Sequence, residues 1–125
     1  AFESDEYNTK KLQQEILPQL ESILIFIINL KINYKNLWTT KVNLFTLIIE
    51  LSRFDNLNKL DLIKVKSLLV SLDEKYLLYK DIKDTEKIST EERIYFNNSL
   101  QGVNDKANRL FRGDFLRLKL LDCLN

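Results

Sequence analysis

Ser22–Leu30 reads SILIFIINL, with Ile23, Leu24, Ile25, Phe26, Ile27 and Ile28 side by side. Three structures can hold such a run: a membrane span, a buried strand, or a helix with something against every side. A membrane helix needs about 20 mainly apolar residues, and this window is closed by Pro18, Gln19 and Glu21 upstream and by Asn29, Lys31 and Asn33 downstream. No transmembrane segment is therefore expected. A short apolar run has no diagnostic period of its own, so its flanks decide between strand and helix. Leu12, Ile16, Leu20, Ile23, Ile27 and Leu30 recur at steps of three and four, which is one face of a helix. The spacing predicts a helix that is kinked or restarted at Pro18.

The same reading extends along the chain. Thr39 or Thr40 is placed to cap a second helix through KVNLFTLIIELSRF, on which Lys41, Asn43, Thr46, Glu50 and Arg53 form a narrow polar stripe. Asp55, Asn56 or Asn58 offers a cap for a third helix to about Lys83, with Leu60, Ile63, Leu68, Leu72, Leu77 and Leu78 as inward candidates and an interruption at SLDEKY. STEE places Ser89 at an N-cap with Glu92 three residues on, a capping box. Phe96, Leu100, Val103, Ala107 and Leu110 then continue an amphipathic helix, which Gly113 is expected to end, while Asp114 caps a last helix to the C-terminus. The expectation is an all-α fold, a compact bundle of about five helices, forming a single helical domain over 1–125 with a flexible lead at 1–8.

Composition narrows the function classes. The chain has 125 residues, 45% of them hydrophobic, with only two Gly and one Pro, enough for a core without disulfide or metal staples. Nineteen Lys and Arg nearly balance 18 Asp and Glu, so no global field favours nucleic acid. Without histidine there is no imidazole base, no Ser-His or Cys-His pair and no His metal ligand. A lone Cys123 excludes an internal disulfide framework and favours a reducing, intracellular setting. The glycines, Gly102 and Gly113, are too far apart for a phosphate cradle. DIKDTEKISTEE imitates a calcium loop but places Lys83 at a ligand position and Glu86 where the turn requires Gly. No enzyme, metal or cofactor is expected. The lack of Met and the start at Ala1 suggest a processed chain or an excised fragment, and the wealth of Leu, Ile, Lys and Asn suggests an AT-rich genome.

Two features point to binding. NRLFRGDFLRLKLL interleaves Arg109, Arg112, Arg117 and Lys119 with Phe111 and Phe115, a pattern that serves acidic peptides or nucleic acid, or else belongs to an amphipathic helix with its rings in the core. Within it, Arg112-Gly113-Asp114 imitates an integrin-binding tripeptide, although each residue also has a place at a helix boundary. The second feature is the excess of helix that is apolar all round, in 20–30 and 42–54, which a bundle of this size encloses only if its other helices wrap both. The leading expectation is a non-catalytic helical protein–protein interaction module. It would bury an apolar surface that includes Ile25 against a protein partner or a second copy of the chain, with Arg109, Arg112 and Arg117 setting orientation. A secreted or surface-exposed microbial protein that binds a host macromolecule is the alternative, and nucleic-acid binding through the basic C-terminal segment ranks third.

Overall fold

A computed structural model describes residues 17–32, 36–82, 86–102 and 105–125, without the side chains of Pro18 and Ile82. The expected lead at 1–8, with Leu12, Ile16, Lys83 and Val103, lies outside the described residues. Among the described residues the fold is all-α, with five α-helices and no strand: α1 (Leu17–Asn29), α2 (Lys41–Ser52), α3 (Leu62–Leu77), α4 (Thr90–Leu100) and α5 (Lys106–Leu121). Short 3₁₀ turns at Leu37–Thr39 and Leu57–Lys59 precede α2 and α3, and α3 widens into a π-turn at Leu78–Ile82.

The opening run forms α1, as its flanks predict. Pro18 lies in the first turn, where its missing N–H costs no helical bond, and Lys31 takes the left-handed conformation (φ 53°) just beyond the last turn. Ile23, Phe26, Ile27 and Leu30 face the core and pack α1 onto α2, which in turn packs on α5. Trp38 is buried in the turn before α2, and its indole Nε1 donates to the Leu69 carbonyl of α3 at 2.9 Å. Beside it the Leu37 amide donates to Asp73 Oδ1 at 2.6 Å, so α3 holds the first interhelical connection from two points. Tyr76, Tyr95, Phe96 and Phe115 fill the centre, with the Tyr95 and Phe115 rings 4.8 Å apart.

Several boundaries differ from expectation. Thr40 occupies the N-cap of α2, but its hydroxyl donates back to the Leu37 carbonyl and accepts from Asn43 instead of binding a helix amide. The cap of α3 is Asp61, which accepts from the amides of Ile63 and Lys64; Asn56 caps only the short turn before it. Starting there, α3 buries Val65, Leu69, Leu72 and Tyr76, leaves Ile63 77% exposed, and runs through SLDEKY without a break. The capping box of α4 is present: Glu92 N donates to Ser89 Oγ (3.1 Å) and Ser89 N to Glu92 Oε1 (2.9 Å).

The stretch read as one helix to Gly113 is two. It breaks at Gly102, whose φ of +61° suits glycine, and Leu100, Ala107 and Leu110 are exposed. Gly113 lies inside α5, where it stops nothing. Its role is space, because a Cβ there would stand 3.0 Å from Glu50 Oε2 of α2. Asp114 accordingly caps no helix and pairs with Arg117 one turn on. At the far end the chain closes on itself: Asp61 N donates to the Cys123 carbonyl at 2.8 Å and Asn125 N to that of Lys59, around an isolated antiparallel bridge between Leu60 and Leu124.

Candidate interaction site

Of the polar stripe expected on α2, Asn43 and Glu50 turn inward, Thr46 is half-buried, and Lys41 and Arg53 stay on the surface. Asn43 is fully buried; its Oδ1 accepts from the Tyr95 hydroxyl at 2.8 Å and from Ser99 Oγ at 3.2 Å, both on α4, and its Nδ2 donates to Thr40. Glu50, 2% exposed, receives Arg53 Nε at 3.1 Å and Arg117 Nη1 at 3.4 Å, against the gap left by Gly113. Burial pushes its carboxyl above the ordinary value, and the two arginines pull it back only in part. Because these polar groups are satisfied inside, some apolar residues of α2 turn out, with Phe45 exposed.

The aromatic and basic residues of α5 divide between core and surface. Arg112 is 2% exposed and its Nη1 donates to the Asn98 carbonyl at 2.8 Å. The tripeptide it begins therefore does not present its arginine to solvent. Phe115 is buried, Phe111 is half-buried against it, and Lys119 lies over the Phe115 ring at 5.5 Å. Arg117 is half-buried between Glu50 and Asp114. Arg109 alone of the named residues in this segment is fully on the surface; Leu110, Leu118 and Leu121 are exposed elsewhere along the same helix.

On α1 the apolar side chains do go all the way round. Opposite its core face, Leu17, Leu24 and Ile28 form one row, seven and four residues apart, and Ile28 is 70% exposed. Glu21 is the single charged residue of this helix. Ile25, 50% exposed, stands beside the row and lines a cleft of about 590 Å³ between α1 and the turn that leads into α3. Ile23, Phe26, Leu51 and Leu60, all core residues, form its floor; Phe54, Leu57 and Leu62 continue its wall. The side chains of Gln19, Ser22 and Asn29 reach it from α1 and make no hydrogen bond to another described residue, while Asp55, Asn56 and Asn58 complete the opposite rim.

The structure thus brings Ile25 into a concave site and leaves the α5 residues elsewhere on the molecule. The cleft itself was hidden in the sequence, because Asp55, Asn56 and Asn58 read there only as helix caps; the density of amides around two apolar helices was the signal available. Among the described residues, no group of acidic or cysteine side chains is arranged to hold a metal ion, and no helix is long and apolar enough to cross a membrane. No protein-family model, curated protein or solved structure matches the chain.

Proposed function

We propose that the chain is a non-catalytic helical interaction module that buries the outer side of α1, with its cleft, against a protein partner. The observation that carries this reading is the exposure of Leu17, Leu24, Ile25 and Ile28 on a helix whose opposite face is already committed to the core. Scattered exposed apolar residues are ordinary on any protein, whereas a contiguous row bordering a pocket is the form that helix-in-groove and pocket contacts take. Covering what remains exposed of Ile25 and Ile28 contributes about 1–2 kcal/mol each. Association costs more than the row alone returns, so the cleft must be filled as well.

Charge enters through the surface cations. Arg109 and, in part, Arg117 are open on α5, away from the cleft, and would meet an acidic group only on a partner that extends beyond α1, whereas Arg112 is enclosed and serves the α4–α5 contact. The test is affinity capture with the wild-type chain and with Ile25→Asp, followed by mass spectrometry. A protein retained by the wild type and lost from the variant is the expected result; the same set of proteins on both would refute the reading.

A further inference from the structure

The charge of the cleft narrows what enters it. Although the chain has 19 lysines and arginines, none lines the cleft among the described residues; its one ionisable group is Asp55, and the rest of its rim is neutral amide and hydroxyl. The walls beneath are aliphatic and aromatic, from Ile25 and Phe54 to Leu57 and Leu62. An anionic group brought here would lose water near the Asp55 carboxylate, with no cation among the described lining residues to replace it. A straight alkyl stem with a cationic end meets the opposite situation: the stem lies on the apolar wall and the charged end stays at the wet rim beside Asp55, as lysine side chains do over apolar surfaces.

We propose that the cleft takes a basic–aliphatic segment of the partner, an alkyl stem against Ile25, Leu57 and Leu62 with its cationic end at Asp55, and rejects an acidic one. This rests on the reading of α1 as the interaction surface and adds the chemistry of what it accepts. The volume, about 590 Å³, lies in the range that holds small ligands or a few side chains.

Three eight-carbon probes with one stem and different ends separate the terms: octylammonium, octanol and octanoate, titrated at neutral pH against the full chain while the Ile25 and Leu62 methyl signals are followed by NMR. Octylammonium is expected to shift both signals saturably and to bind about fivefold more tightly than octanol, the factor a single partly solvated charge pair supplies. Octanoate should be the weakest of the three. Asp55→Asn should bring octylammonium to the level of octanol while leaving octanol unchanged. Octanoate binding as well as octylammonium, no saturable shift at the cleft, shifts confined to α5, or a concentration-dependent shift of the same signals without any probe, which would mark a second copy of the chain, would each overturn the proposal. Its failure is separable from that of the broader reading: partner capture lost in Ile25→Asp with octanoate preferred would remove the basic–aliphatic specificity and leave the interaction surface in place.

Discussion

Helices α1 and α2 are similar in sequence character and opposite in the way they are used. Each is dominated by Ile, Leu and Phe, yet α1, with one charged residue, sends Ile25 and Ile28 into solvent, while α2 takes Asn43 and Glu50 into the core. The difference lies in what the neighbours offer. Asn43 finds two hydroxyls on α4, and Glu50 finds two arginines and the space beside Gly113. A buried polar group with all its partners fixes one rotation of its helix, because any other rotation leaves several groups unpaired. Among the described residues nothing comparable fixes the outer face of α1, and its apolar side chains stay exposed.

The largest expected effect tests the buried half of α1. Ile27→Asp places a carboxylate among Leu and Phe side chains where water does not follow, at a cost of several kcal/mol. Loss of the cooperative unfolding transition, and of most helical circular dichroism at 25 °C, is the outcome that agrees; a folded variant would show that the inner face is less enclosed than α1 requires.

Next in size is the polar anchor of α2. Asn43→Ala removes the acceptor of Tyr95 and Ser99 and leaves a fully buried hydroxyl on α4 without it, so unfolding in urea should show about 2–3 kcal/mol of lost stability. Tyr95→Phe in the Asn43→Ala background should recover part of that loss, since the stranded hydroxyl goes with it. Full additivity of the two changes would mean that the contact does not orient the helices.

A smaller effect distinguishes the two buried carboxylates by pH. Burial holds the Glu50 carboxyl above its ordinary value of 4.5; its contribution to stability is therefore fully present below 4.5 and is lost as pH rises through the folded value. Glu92 is the reverse. Burial raises its carboxyl, but the hydrogen bonds from Lys75 and from the Ser89 amide outweigh burial and bring it below 4.5, so its contribution is present above 4.5 and fades as pH falls through the folded value. Urea midpoints measured across this range should accordingly fall above pH 4.5 in the wild type and fall less in Glu50→Gln. An unchanged slope in the variant would assign the dependence elsewhere.

Much of this fold was legible because helices announce themselves by period. Ile23, Ile27 and Leu30 face inward as their spacing requires, and Ser89 with Glu92 forms the box its four-residue pattern specifies. What misled was the meaning of single residues. Gly113 reads as a helix stop, yet glycine also serves where a neighbour must come close, and only the approach of Glu50 from 63 positions away in sequence decides between the two. The polar stripe on α2 poses the same ambiguity: a one-dimensional pattern shows which residues share a side, and the tertiary partners determine whether that side is wet. The interleaved rings and cations of α5 likewise split between core and surface according to what α2 and α4 present to them, so that Arg112 and Phe115 went inside. The exposed row on α1 was foreshadowed by the excess of all-round apolar helix, whereas the cleft beside it, built from α1 and the turn before α3, joins segments no local pattern connects.

The measurement that bears most directly on this account is the stability and association of Ile25→Asp. Ile25 is two residues from Ile27 on the same helix, but it is 50% exposed at the edge of the cleft, so its substitution should leave a cooperatively folded chain within about 1 kcal/mol of the wild type that no longer retains the partner. If Ile25→Asp unfolds the chain as Ile27→Asp does, α1 is enclosed on every side and the outer surface assigned to a partner does not exist.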